Sequence, residues 1–476
     1  GSNLCLDAFT TALNEASSGG RSYLPTKQLQ LASLQLCIAC RGVSTLLVKI
    51  DGSTPRRLWA DPAEQSPTLI AGRMDRNDEP RVPSLRAHSI VWMLSADGAI
   101  MSCNTNSLSN VRNWHFGPMF DRSLDYIMWP PQVKKVVFRS DGSSRRAGFN
   151  QPITKVVWPS WLQQLTFGTN FNQPIEGVAW PASLQQLAFE KRFNQPIEGV
   201  AWPASLQQLT FGTDFNQPIE GVAWPASLQQ LTFGAGFNRP IECVAWPASL
   251  QQLTFGSRFN QPIEGVAWPA SLQQLTFGTD FNQPIEGVAW PALLQELALG
   301  TNFNQPIEKE KKPASLQQLM LSSSAFNQPI MCVEWPAALQ QLTFGDCFNQ
   351  PIEGVAWPAS LQQLAFGDDF NQPIKVVAWP ASLRQLTFGS DFNQPIEGMT
   401  WPASLQQLTF GYDFNQPIRA VAWPASLQQL TFGHHFNQPV EGMTWPASLQ
   451  QLTIGYETTS PSRAVAWPAS LQKLTF

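Results

Sequence analysis

Charge is scarce in this sequence. Asp, Glu, Lys and Arg together make up 13% of its 476 residues, and the net charge is −4. So little charge, with a slight acidic excess, argues against a general nucleic-acid binder, which needs a basic footprint for the phosphate backbone. The balance is uneven: residues 1–148 hold 17 Lys and Arg against 12 Asp and Glu, and residues 149–476 hold 13 against 22. Long apolar runs are missing too. No stretch reaches the roughly 18 residues that read as a membrane span. Histidine occurs four times, with no convincing base–nucleophile pair. There is no G-x-S-x-G elbow, no phosphate-binding loop and no dinucleotide fingerprint. These absences imply no catalytic residue, no cofactor and no metal.

Cysteine is sparse and odd in number: Cys5, Cys37, Cys40, Cys103, Cys243, Cys332 and Cys347. That is no disulfide framework, and it favours a reducing, intracellular compartment. Cys37 and Cys40 form a lone CxxC. Zinc would need two more ligands, for which Cys5 and Cys103 are the candidates. A redox pair would sit at a helix start. Buried structural thiols are the better reading. The chain opens on Gly1-Ser2 rather than Met, which leaves a removed targeting peptide open.

What the sequence does have is hydrophobic content, 43%, and a repeat. The string FNQPI, with slight variants, starts at Phe149 and recurs at a step of 22 residues up to Phe436, except between Phe303 and Phe326, where the step is 23. One unit reads FNQPIEGVAWPASLQQLTFGTD. Worn copies flank the array. One starts at Phe120 and carries an insertion from Arg139 to Gly148; the other starts near Thr458 and keeps Trp467-Pro468. The count is then 16 units.

The pattern inside the unit explains the period. Leu162-x-x-Leu165-x-Phe167 alternates as a strand with one buried face does. Gly168 and the next two residues make a turn. Phe171, Ile175, Val178 and Trp180 bring apolar groups back to the interior, while Pro174 and Pro181 forbid a helix on the return path. One such unit cannot bury its own apolar face, but a stack of them buries a continuous core. At about 4.8 Å per strand, the stack would run roughly 75 Å.

The L-x-x-L-x-F pattern with a later Asn resembles a leucine-rich repeat. More closely, F-N-x-P-I…W-P-x-S-L-x-x-L-x-F resembles the FNIP repeat, a leucine-rich-repeat relative of amoebae, microalgae and giant viruses. The resemblance runs from Phe120 to Phe476. It implies a mainly β solenoid with one parallel sheet, and protein–protein interaction as the usual role. Some members carry an F-box or a kinase region in front; neither pattern occurs here. Residues 1–119 read instead as a small mixed or β-rich domain and possible cap. A short helix is expected at Asp7–Ala16, strands at Leu34–Ala39, Thr45–Ile50 and Ser89–Leu94, and turns at Asp51-Gly52 and Asp97-Gly98.

The conspicuous columns read as structural. Asn side chains stacked coil on coil can satisfy backbone groups, and the Trp column reads as core rather than a sugar platform. The candidates for contact lie elsewhere. The strand's polar rows, such as Gln164 and Thr166, Gln208 and Thr210, Gln230 and Thr232, form an uncharged face. Thirteen of the 16 units have Gln in the first row and 11 have Thr in the second. It reads as a solvated sheet, as a docking face, or most remotely as an ice-binding surface. Ice-binding repeats usually offer two Thr per coil and this chain offers one.

The pair before each Phe varies freely: Asp214, Arg258, Asp280, Asp368, Asp369, Asp391, Tyr412, Asp413, His434 and His435 lie there. Exposed turns of this kind suit partner specificity; drift is the equal alternative. One coil replaces EGVAWP by Glu308-Lys309-Glu310-Lys311-Lys312-Pro313. It puts Glu310 and Lys312 where Val and Trp enter the core, and burying such charges unpaired would cost several kcal/mol. The expectation is an outward loop there, with strand Leu316–Leu321 still in register. The chain stops at Phe476 on a core residue with an unpaired strand edge, which leaves end-to-end self-association open.

The function that follows is a non-enzymatic protein-interaction scaffold. The alternatives are an assembly subunit of a larger complex, or a targeting subunit with its activity in residues 1–119.

Overall fold

Three or four residues of Leu-x-Phe alternation are enough for a strand when an identical strand lies beside them, because each backbone N–H then finds a carbonyl one coil away. The computed structural model describes the backbone of residues 45–47, 68–71 and 89–92, and residues 112–476 apart from 118–119, 126, 128, 130–131, 140–147, 309–311, 322–323 and 456–464. Among them there is no α-helix. The chain forms two compact units, Gly1–Glu190 and Lys191–Phe476.

The first unit is a parallel ladder of β1 (Thr45–Leu47), β2 (Thr68–Ala71), β3 (Ser89–Trp92), β4 (Asn113–Phe116), β5 (Lys135–Phe138), β6 (Gln164–Phe167) and β7 (Gln186–Phe189). Parallel pairing therefore begins well before the recognisable repeat. The expected strands at Thr45 and Ser89 are β1 and β3; β2 lacks the Leu-x-Phe template and was not expected. The expected helix at Asp7–Ala16, the strand Leu34–Ala39 and both Asp-Gly turns lie outside the described residues.

The second unit holds β8 (Gln208–Thr210), β9 (Gln230–Thr232), β10 (Gln252–Thr254), β11 (Gln274–Thr276), β12 (Glu296–Ala298), β13 (Gln318–Leu321), β14 (Gln341–Phe344), β15 (Gln363–Ala365), β16 (Gln385–Thr387), β17 (Gln407–Thr409), β18 (Gln429–Thr431), β19 (Gln451–Thr453) and β20 (Lys473–Thr475). Each pairs in parallel with the next, slot on slot, as Leu253 pairs with Leu231 and Leu275. A parallel β-solenoid results, and the 23-residue step does not break it: Gln318 still pairs with Glu296 and Gln341.

The inward residues make continuous columns. Leu250, Leu253 and Phe255 from one coil are buried, as are Phe259, Ile263 and Val266 from the next. The two Phe rows interleave: Phe233 lies 4.2 Å from Phe237 and 5.7 Å from Phe255, near-parallel in both pairs. Each buried Phe contributes about 1.5–3 kcal/mol by burial, plus stacking.

The Trp column is core as well. Trp158, Trp268, Trp401 and Trp445 are buried, the others half-buried. Trp246 stacks on Trp268 at 6.4 Å, and Trp268 meets Phe277 edge to face. The indole N–H groups of Trp335, Trp357, Trp379, Trp401, Trp423 and Trp445 are buried without an acceptor.

Side-chain ladders satisfy the loops. The Asn260 N–H donates to Asn238 Oδ1 at 3.0 Å, and Gln261 Nε2 donates to the same oxygen at 2.9 Å. The rule holds at Arg239, whose Nε takes the Gln role and donates to the Asn216 carbonyl. It holds in the worn first copy too, where Asp121 Oδ1 accepts from Asn150 N–H. A second ladder runs through Ser: Ser249 Oγ donates to the Leu228 carbonyl at 2.6 Å, and Ser271 repeats the bond to Leu250.

Candidate functional site

With the apolar rows, the Asn and the Ser committed to the interior and its ladders, the candidate contact residues fall in three of the exposed regions among the described residues. The first is the outward face of the sheet. Gln164 and Thr166 on β6 are half-exposed, as are Gln208, Gln230 and Thr232, and Thr210 is exposed. Along β8 to β20 the two outward rows carry a charge only at Glu296 and Lys473. A Gln side chain can bridge strands, as Gln385 Nε2 does to Gln407 Oε1 at 2.8 Å.

The second region is the ridge of turns between strand and Phe. Backbone bonds hold its residues one above another: Asp391 N–H donates to the Asp368 carbonyl, Asp413 N–H to Ser390 and His435 N–H to Tyr412. From Cys347 the second position of the pair runs Cys347, Asp369, Asp391, Asp413, His435, one residue per coil. Asp368, Asp369 and Asp391 are exposed. Desolvation, then the charges of Asp369, Asp413 and Asp368, push the Asp391 carboxyl above its usual range. Desolvation raises the Cys347 thiol as well, helped by a hydrogen bond and the charge of Asp369. His435 Nδ1 lies 3.1 Å from Asp413 Oδ1, and Tyr412 stacks on His434 at 4.9 Å. Asp214, Arg258 and Asp280 occupy the same ridge further up and are exposed. The structure thus brings Asp368, Asp369, Asp391, Tyr412, Asp413, His434 and His435 together over four adjacent coils.

The third region is the charged coil. Lys312 occupies the Trp slot, half-buried, but its charge is not stranded. Its Nζ donates to the Ile307 carbonyl at 2.8 Å and sits 5.8 Å from the Trp335 ring. The expected penalty for an unpaired charge is offset there by a hydrogen bond and a cation–π contact. Glu308 is half-buried. Lys309, Glu310 and Lys311, and with them the expected outward loop, lie outside the described residues, as do Cys5, Cys37, Cys40 and Cys103.

Among the described residues no group of three or more His, Cys, Asp or Glu is arranged to hold a metal, and no helix is long and apolar enough to cross a membrane. Sequence reasoning passed over Glu296, Ala298 and Met320, although each departs from its Gln or Thr row.

The FNIP Repeat family matches residues 149–192, 193–236, 237–280, 281–324, 326–369, 348–391, 392–435 and 414–457. Among solved structures, CroV588, described as a novel circular leucine-rich-repeat protein, is 39% identical over 82% of this chain and 56% of its own, with a TM-score of 0.69. This chain spans about half the length of that protein. A chain of the Drosophila Toll–Spatzle complex is similar in fold, with 11% identity, a TM-score of 0.59 and coverage of 81% and 60%. The chain matches no curated protein.

Proposed function

We propose that this chain, which belongs to the FNIP-repeat family, is a non-enzymatic scaffold that holds a protein partner on its sheet face and turn ridge. Leucine-rich-repeat folds are typically of this kind, and nothing finer comes from the family itself. One observation carries the reading. The buried columns and the ladders beneath them stay constant from coil to coil, the outward Gln and Thr rows nearly so, and the exposed turns, the ridge among them, are what changes. Exposed positions that vary while the fold is kept are where a partner can be chosen, and Asp368, Asp369, Asp391, Tyr412 and His435 gather such variation in one cluster. Drift predicts the same variation and is separated by the test below.

The test is affinity purification from the source cells with the parent chain and with a triple variant, Asp368→Lys, Asp369→Lys and Asp391→Lys. These side chains are exposed, so the variant keeps its fold, which circular dichroism checks. The reading expects at least one protein whose recovery falls about tenfold with the variant. Equal recovery of every protein would assign the ridge to drift. A stoichiometric complex that survives the triple reversal would favour an assembly subunit. Larger species in light scattering that grow with concentration would favour self-association.

A further inference from the structure

The sheet face of the second unit is nearly uniform, and its departures cluster in one place. Its two outward rows from β8 to β20 depart from Gln and Thr at Glu296, Ala298, Met320, Ala365 and Lys473. Three of these five fall on the adjacent strands β12 and β13. Ala298 pairs directly with Met320, and Glu296 with Gln318. The flanking strands return to type at once, with Gln274 and Thr276 on one side and Gln341 and Thr343 on the other. Register is unbroken throughout, so the three side chains share the outward face.

The substitutions change the chemistry of this spot in one direction. Ala298 replaces a hydroxyl by a methyl group. Beside it Met320 presents a thioether that is 37% exposed. Directly opposed residues lie about 5 Å apart, so the two form one small apolar surface in a field of amides and hydroxyls. Glu296 precedes Ala298 by two residues on the same strand, which places its carboxylate about 6.6 Å along the face. It is the one negative charge in these rows of the second unit.

That spacing equals the step between alternate side chains of an extended chain. A segment laid along β12 in extended conformation can put an apolar side chain on Ala298 and Met320 while its neighbour two residues away reaches Glu296. Charge complementarity then requires that neighbour to be a cation. We propose that Glu296, Ala298 and Met320 are the anchor for an extended protein segment in which a lysine or arginine stands two residues from an apolar side chain. The proposal rests on the interaction-scaffold reading and gives it a partner chemistry.

The array supplies its own controls. Glu296→Gln, and the pair Ala298→Thr with Met320→Thr, each install the residue that neighbouring coils already hold in that slot, so the fold tolerates them. A phage-displayed random peptide library is selected on the full chain, and the enriched peptides are titrated against the parent and both variants. The expected result is a basic residue two positions from an apolar one, with binding about tenfold weaker to each variant. Loss against Glu296→Gln should shrink as salt is raised, whereas loss against the Thr pair should not. Peptides that bind the variants as tightly as the parent, or a selection without this pairing, would overturn the anchor. So would a dimer of the parent in light scattering that either variant turns into a monomer, since the occupant would then be a second copy. Binding elsewhere on the chain leaves the scaffold reading standing while the anchor falls. That reading fails separately, when purification from cells returns no protein partner.

Discussion

Single residues carry large energies here because each is repeated or buried among repeats. His115 is one such residue, and it titrates. It is buried on β4, its Nδ1 has no partner, and burial, then Arg139 and Lys135, lower its pKa from 6.5 to about 4. The folded state therefore holds it neutral where the unfolded chain takes up a proton. Its contribution is full above pH 6.5 and is lost as pH falls towards 4, by about 3 kcal/mol at most. Stability of the first unit should drop over that window, and His115→Leu should flatten the drop in urea titrations at a series of pH values. An unchanged slope would mean that His115 titrates normally. Gly411 is a second such residue. A Cβ there would fall on the carbonyl oxygen of Gly389 and 2.7 Å from the Ser390 nitrogen. Both are backbone, with no soft side chain to yield, so Gly411→Ala should cost about 3 kcal/mol or more. Hydrogen exchange should speed up in that coil and its neighbours first. Glu190 fills the equivalent slot, but it follows a four-residue strand, and its N–H donates to Phe167.

At the scale of the coil, most of the fold was legible because the constraint is written many times over. The buried Leu and Phe rows, the outward Gln and Thr, the turn after Gly168 and the structural role of Asn all follow from alternation and from the need to pair backbone groups. The Ser ladder was not read, because a Ser in an A-S-L turn looks like ordinary solvent-facing polarity until the Leu carbonyl one coil away is seen. β2 was missed because its residues, Thr68–Ala71, carry no template. The Trp slot of Lys312 is legible from spacing, but its partners, the Ile307 carbonyl and the Trp335 face, are not. Of the candidate contacts, the turn ridge was legible from variability alone; its stacking into one acidic line depends on register. That line has a consequence of its own. Desolvation, then the charges of Asp369, Asp413 and Asp368, raise the Asp391 carboxyl, so its charged form is disfavoured in the fold. Its contribution is present below pH 3.8 and lost as pH rises through the folded-state value. Asp391→Asn should therefore raise the thermal midpoint at neutral pH and low salt. The gain should shrink near 1 M salt, where screening acts within about 3 Å, and the part that remains belongs to desolvation. An equal gain at both salt levels would assign the effect to desolvation alone and none of it to repulsion.

Across the second unit, stability is a sum of coils and of contacts between neighbouring coils, so the unit is only as cooperative as its weakest contact. That contact can be located. The strand Phe column passes from Phe277 to Phe344 through Leu299 and Leu321, and the Trp column is broken by Lys312. Only the Phe of the F-N pair continues unbroken, with Phe281, Phe303, Phe326 and Phe348 stacked about every 6 Å. Two of the three aromatic columns are thus interrupted over the same coils. The loss of ring stacking at several contacts, at about 0.5–1.5 kcal/mol per pair, is comparable with what couples one coil to the next. Urea unfolding of the chain should accordingly show more than one transition. Hydrogen exchange by mass spectrometry should find residues 299–321 opening together, ahead of the coils on either side. The triple variant Leu299→Phe, Leu321→Phe and Lys312→Trp rebuilds both columns with the residues the neighbouring coils use. It should raise the first midpoint, draw the transitions together and slow exchange in this segment more than elsewhere. Transitions that stay apart, with exchange unchanged at residues 299–321, would show that the aromatic columns do not set the cooperativity of the array.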